Sequence, residues 1–412
     1  MLFSPVQVGP LTLPNRVWLP AMVTWLSNDE GEVTPDITAR YVRYARGGAG
    51  AIVLEAMGIR DVPSGPLMRI GHDRTVSPLR ELVTRIKGAG PGRVFPQLID
   101  FLKISRRDPA RALQRLEPRY PGCSGWTSAE LEARLAPRDW RDYAWGWRQQ
   151  IEDLSVAELH QIPGWFAQAA RRAREAGFDG VELHFAHAYT MASFLSATNR
   201  RTDDYGGSRP NRLRLALEVV AAVRSEVGND YAVGCRLLGS DDVADGSTID
   251  DSAWFCARLA EAGLDFISVS RGGRFEDARR PPIGQAAYPY TGPSGTVCMP
   301  TREYPDGANL HLPQGIRAAI RAAGLTTPVV GAGKINHFSV AEGALQAGQL
   351  DIVGMARGLL ADPDWPKKVL AGEENTVNAC KYTNVCEALD RKHLPVRCQL
   401  WMKRPDGGMH PP

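Results

Sequence analysis

Long uninterrupted apolar runs are missing from this 412-residue chain. None approaches the roughly 18 residues that a membrane-crossing helix needs, so no membrane association is expected. The opening MLFSPVQVGPLTLPNR has neither the basic start nor the continuous apolar stretch of a secretion signal, and a cytoplasmic enzyme is the resulting expectation. Cysteine is scarce: seven residues (Cys123, Cys235, Cys256, Cys298, Cys380, Cys386, Cys398), an odd number that argues against a disulfide framework. Charge of one sign is not in surplus either. The 49 Lys and Arg against 46 Asp and Glu leave a net +3, scattered in both signs, and no polybasic arm points to nucleic acid. A small-molecule substrate is what remains, with assembly into a homo-oligomer left open.

What the chain does have is alternation. Short apolar or β-branched runs are separated by amphipathic stretches, as parallel strands covered by helices require. Eight runs read as strands: RVWLPAM from Arg16, GAIVLEA from Gly50, RVFPQLI from Arg93, DGVELH from Asp179, YAVGCRLL from Tyr231, DFISVS from Asp265, PVVGAG from Pro328 and DIVGMA from Asp351. Segments such as IPGWFAQAARRAREAGF and RLRLALEVVAAVRSEVG space their apolar residues near 3.6 and end on Gly, as helices do. An open doubly wound sheet would carry a Gly-rich turn after its first strand, and none is present. The expected fold is therefore a single (β/α)8 TIM barrel with an N-terminal β-hairpin, long excursions after strands three and six, and a Cys-containing C-terminal tail.

Residues 103–153 form the first excursion, rich in Arg and Trp (Trp126, Trp140, Trp145, Trp147), and Arg271 to Leu312 the second, rich in Gly, Pro and Tyr. Loops of such length are lids or mobile segments more often than plain connectors, and both are expected over the mouth of the barrel; an exposed excursion or subunit contact is the alternative for the first.

In such a barrel the reactive groups sit where strands end. Strand four ends with His184, His187 and Tyr189 inside six residues, placing two imidazoles and a phenol together. Such a trio can hold a carbonyl oxygen and deliver a proton. The competing readings are a capping His with a core Tyr189, or a metal site, which lacks a third nearby ligand. Strand seven ends GAGKIN and strand eight GMARG. Gly331, Gly333, Lys334, Ala356 and Arg357 thus fall where a barrel binds phosphate, small residues allowing close approach and Arg357 adding charge.

The stretch GFDGVELHFAHAYTMASFLSATNRRTDDYGGSRPNR, ending at Arg212, resembles the old yellow enzyme family without a gap, and similarity runs from LFSPVQVGPLTLPNRV to DIVGMARGLLADPDWPKK near Lys368. The resemblance implies an FMN-dependent oxidoreductase using NADH or NADPH. His184 and His187 would donate to the substrate's activating oxygen and Tyr189 would protonate the carbon beside the one receiving hydride. FMN's phosphate would lie at the Gly-rich ends of strands seven and eight. Gln97 and Arg236 would meet the polar edge of its ring, and Pro20, Ala21, Met22, Val23 and Ala56 would flank it. An electron-poor alkene such as an α,β-unsaturated carbonyl is the implied substrate. Desaturation of a C–N or C–C bond is the runner-up, and a non-catalytic barrel binding a phosphorylated ligand the alternative from another class.

Several positions depart from the family's pattern. Val23 stands where many relatives have Thr or Cys, Pro20 precedes the usual proline position by one, Asp100 replaces a common His, and Leu102 and Lys103 replace a Gly-Arg pair. With residues 1–374 read as the FMN barrel, 375–412 form a tail, ACKYTNVCEALDRKHLPVRC, which resembles the iron–sulfur segment of the dienoyl-CoA reductase and trimethylamine dehydrogenase branch. Only Cys386 and Cys398 keep its spacing: Tyr382 occupies the second position and Cys380 sits one past the first. A degenerate site without a four-iron cluster is expected, zinc on the three Cys with His393 nearby being left open.

Overall fold

The computed structural model describes residues 1–62, 65–101, 109–145, 149–282, 287–402 and 408; Leu102, Lys103 and Trp147, singled out above, lie outside them. Two short strands, β1 (Val6–Val8) and β2 (Leu11–Leu13), pair as an antiparallel hairpin. Eight parallel strands then close a barrel: β3 (Val17–Leu19), β4 (Ala51–Gly58), β5 (Arg93–Ile99), β6 (Gly180–Phe185), β7 (Ala232–Leu238), β8 (Phe266–Ser270), β9 (Val329–Gly331) and β10 (Ile352–Gly354), the last pairing with β3. Each lies within a run read from the sequence, save that β4 reaches two residues and β6 one residue beyond its run. Strands covered by helices outside and side chains inside are apolar along their whole length, which made these runs legible.

Helices lie between the strands, and their ends follow from local chemistry. Thr34 caps Pro35–Arg46, its side chain accepting from the Ile37 amide, with Pro at the first turn where its missing N–H costs nothing. The helix Arg209–Val227 buries Leu213, Ala216, Val220, Val223 and Val227 toward the barrel.

The barrel interior is layered. At the lower level the rings of Trp18, Phe95 and Phe266 meet at centroid distances of 4.9 to 5.6 Å. Val8 and Leu13 of the hairpin join the same apolar cluster, so the hairpin stops the barrel from below. Gly234 makes room for this layer: a Cβ there would stand 2.4 Å from the Phe266 ring. Above the aromatic floor the inward positions turn polar, with Gln97 opposite Glu182 and His184 opposite Arg236 in the strand register.

The first excursion is folded on its own terms. Helices Pro109–Leu116, Ser128–Arg134 and Pro137–Trp145 enclose a small core of Leu116, Cys123, Leu131, Leu135 and Tyr143. It meets the second excursion where Arg280 lies over the Trp140 ring at 4.2 Å and 3.6 Å from Glu132. The tail is also built into the molecule. Its helix Val385–Arg391 faces the mouth, the Val396 amide donates to the Thr24 carbonyl at 2.9 Å, and Trp401 is buried with the Arg40 guanidinium 5.0 Å from its ring. Among the described residues no helix is long and apolar enough to cross a membrane.

Candidate active site

A cavity of about 1000 Å³ opens at the C-terminal ends of the barrel strands. The loop after β3 lines it with Pro20, Ala21, Met22 and Val23; β4 and β5 add Ala56, Gln97 and Asp100; His184, His187, Tyr189 and Arg236 come from the ends of β6 and β7. Gly333 and Lys334 after β9, with Ala356 and Arg357 after β10, line its far side. Gly331 does not: a Cβ on it would meet Leu350 and Pro313 at 2.7 and 2.8 Å, so this glycine serves packing behind the strand.

The two excursions behave differently from each other. Phe275, Tyr288 and Tyr290 bring the second over the cavity, whereas no described residue of 109–145 lines it. The expectation that both cover the mouth is thereby corrected for the described part of the first, whose apolar side chains are spent on their own core.

His184 and His187 are buried, with His184 Nε2 and His187 Nδ1 only 3.4 Å apart. Two ring nitrogens this close can both reach a single oxygen placed between them. Ser270 Oγ lies 3.0 Å from the other nitrogen of His187 and, donating there, would leave the His187 proton on Nδ1, facing His184. His187 holds its position at the cost of a left-handed backbone (φ 62°), and the buried Arg274 donates to its carbonyl at 2.9 Å. Burial, aided by the Arg236 charge, brings His184 down to about 3; burial first, then His184, Arg236 and Arg274, holds His187 well below the usual imidazole range. Both rings are therefore neutral at physiological pH.

Tyr189 stands at the start of the helix Thr190–Leu195, 5.8 Å from the His184 ring and edge-on to Phe101 at 5.1 Å. Burial and then the charge of Asp390 keep its proton on, the phenol being raised above its ordinary value. A second phenol that sequence reasoning did not single out, Tyr290, lies 5.4 Å from the His187 ring and 5.2 Å from Tyr288. Asp390, another such residue, accepts from Trp25 Nε1 at 2.6 Å and from the Tyr288 hydroxyl, so the tail contributes a carboxyl to the mouth. The Tyr-Pro-Tyr run was the one available signal for Tyr288 and Tyr290; nothing local marked Asp390. Asp100 lies 2.6 Å from Arg60, whose guanidinium stacks on Trp165 at 3.9 Å.

The neutral state of the imidazoles has a measurable consequence. Affinity for an uncharged carbonyl ligand is expected to stay flat between about pH 5 and pH 8, where ordinary histidines titrate. Stability behaves oppositely. Below the unfolded value of about 6.5 the unfolded chain takes up protons that the folded imidazoles refuse, so stability falls as pH drops toward the folded value. Titration of ligand affinity and of urea unfolding over the same pH series checks both; a ligand affinity that follows a midpoint near about 6.5 would show an exposed, ordinary imidazole.

A family model described as "NADH:flavin oxidoreductase / NADH oxidase family" matches residues 1–287 and 302–376. The chain belongs to that family. Among its relatives, an NADH oxidase of Thermoanaerobacter brockii is 30% identical over 389 residues, 93% of this chain and 53% of the relative. An NADPH dehydrogenase of a Geobacillus strain is 30% identical over 383 residues, 92% of this chain and 96% of the relative. A solved old yellow enzyme homologue from Zymomonas mobilis shares the fold with a TM-score of 0.65 at 22% identity, covering all of this chain and 99% of that one. The chain spans about half the length of the first curated relatives it matches.

FMN is the cofactor of this flavin oxidoreductase family, and the cavity fits it. Among the described residues, Arg236 Nε and His184 Nδ1, both on residues that line the cavity, are buried polar atoms without a protein partner. Lys334 and Arg357 both lie about 5 Å from the Tyr382 ring; Lys334 Nζ also donates to the Arg302 and Tyr304 carbonyls, and Arg357 to the Pro300 carbonyl and Asn384 Oδ1. Gly333 adopts φ 127°, and a Cβ there would press on Asn309 at 2.6 Å, so only glycine serves this turn. The three tail thiols line a separate small cavity together with Arg357. No group of three His, Cys, Asp or Glu among the described residues is arranged to hold a metal, and His393 stacks on Trp25 at 4.2 Å.

Proposed function

We propose that the chain is an FMN-dependent NAD(P)H oxidoreductase of the ene-reductase type. The observation that carries this reading is the convergence of His184 Nε2 and His187 Nδ1 at 3.4 Å beside the protonated phenol of Tyr189. Bound FMN would supply the hydride chemistry that links NADH or NADPH to the β-carbon of an activated alkene. Negative charge then grows on the substrate's carbonyl oxygen, and the two facing imidazole nitrogens can turn N–H groups to it once it displaces their mutual contact. Tyr189 supplies the proton to the neighbouring carbon, its raised affinity for that proton ensuring that it is loaded.

Gly333, Lys334, Ala356 and Arg357 would hold the phosphate, Gln97 and Arg236 the polar edge of the ring, and Pro20, Ala21, Met22, Val23 and Ala56 its flanks. The purified protein is expected to be yellow, absorbing near about 450 nm as oxidised flavin does, and to release FMN on denaturation. Release of FAD, or a colourless protein that takes up no FMN, would remove this reading in favour of a binding barrel.

A second reading, oxidation of an amine, draws on Asp390. A carboxyl set among Trp25, Tyr288 and Tyr290 in the cavity suits a cationic group, which aromatic faces also attract. Mixing enzyme anaerobically with a secondary amine or, after reduction, with an enone separates the two: bleaching by the amine supports the second reading, reoxidation by the enone the first.

A further inference from the structure

Glu182 holds a place in the barrel interior that the chemistry above leaves unexplained. It is fully buried on β6, directly above the aromatic floor, where burial favours the uncharged form of its carboxyl. A carboxyl is costly there, and an apolar side chain would fill the same space at less cost. What it does locally is specific. The Gln97 Nε2 donates to Glu182 Oε1 at 2.6 Å, the two residues facing each other across the β5–β6 register.

That contact decides which way the Gln97 amide points. An amide has an oxygen end and an NH2 end, and neighbouring hydrogen bonds choose between them. In the structure the NH2 end donates to Glu182 Oε1, which leaves the amide's carbonyl oxygen for the cavity that Gln97 lines. Without the acid, Gln97 could turn either end outward. The polar edge of a flavin ring carries an imide N–H between two carbonyl oxygens, and an outward-facing Gln97 oxygen complements that N–H.

We propose that Glu182 is a positioning residue for FMN recognition: by accepting from Gln97 it locks the amide with its oxygen toward the imide edge of the ring. The inference rests on FMN binding at this site. Its role is exerted through Gln97, so it makes a prediction that a purely packing role does not.

The test uses apoprotein reconstituted with FMN carrying ¹⁵N at the imide position. Flavin fluorescence gives the affinity, and the imide proton resonance reports the hydrogen bond directly. Glu182→Leu is expected to weaken FMN binding by about tenfold or more, the usual penalty for a mispaired buried donor, and to move the imide proton upfield. In a Gln97→Ala background the same replacement should add less than about twofold, because the residue through which Glu182 acts is gone. Glu182→Gln keeps the volume and can offer Gln97 either end of its own amide, so an intermediate upfield shift is expected; it carries the test if the Leu variant does not fold. An imide proton unmoved in the folded variants, or an undiminished penalty in the Gln97→Ala background, overturns the proposal. Wild-type protein that takes up no FMN overturns it together with the flavin reading, a result distinct from wild-type binding with indifferent variants.

Discussion

Tyr189→Phe is expected to leave reduction by NADH or NADPH near normal while slowing reoxidation by an enone by about 10²-fold or more. The two half-reactions use the same mouth but ask different things of it. Hydride transfer from a nicotinamide needs alignment and no proton from Tyr189, whereas saturating an alkene needs a proton on the carbon beside the one that receives hydride. The substitution keeps the ring, and with it the edge-on contact to Phe101 at 5.1 Å, and deletes only the hydroxyl. Stopped-flow absorbance follows each half separately. Equal slowing of both would make Tyr189 a packing residue. No slowing of either would pass the proton to another group, with Tyr290, 5.4 Å from the His187 ring, the first to replace next.

Replacing His184 and His187 together by Ala is expected to slow enone reduction by about 10² to 10³-fold, the range for losing a preorganised oxyanion donor. Phenolic ligands, which would seat their oxygen at the same point, should lose affinity in parallel, together with the long-wavelength charge-transfer band they give with oxidised flavin. The FMN content should hold, since Lys334 and Arg357, proposed above to hold its phosphate, are untouched. The single variants should each cost nearly as much as the pair, because an oxygen shared by two donors 3.4 Å apart loses its geometry when either leaves. Unchanged phenol affinity in the double variant would place the substrate oxygen elsewhere.

How far the molecule could be read in advance depends on where information lies in a chain. The eight strands were legible because a strand buried on both faces is apolar throughout, and the His184, His187, Tyr189 cluster because six consecutive residues leave one strand end together. Gly333 and Arg357 were legible through their place in the last two units. Gly331, read together with them, looks the same in sequence but does not line the cavity, and its bare face meets Leu350 and Pro313. Glu182 was quoted in a motif and given no role, since its partner Gln97 is on another strand and only the register joins them. Tyr290 and Asp390 reach the mouth from the second excursion and the tail, where no periodic pattern exists to place them. The first excursion was read as a loop because its helices are short and its core of Leu116, Cys123, Leu131, Leu135 and Tyr143 is too small to give a clear period.

The loop carrying Pro20 to Val23 is pinned from two directions: the Glu55 carboxyl accepts from the Thr24 amide at 2.6 Å, and the Thr24 carbonyl accepts from Val396. These clamps arrive at very different moments in the life of a nascent chain. Glu55 leaves the ribosome soon after the loop itself, but the barrel cannot close until β10 emerges to pair with β3, and Val396 and Asp390 follow later still. An early-made wall of the cavity thus waits on later-made segments for its final shape. A newly synthesised chain passes through a stage in which all eight strands are present while the Val396 contact to the Thr24 carbonyl is still to be made.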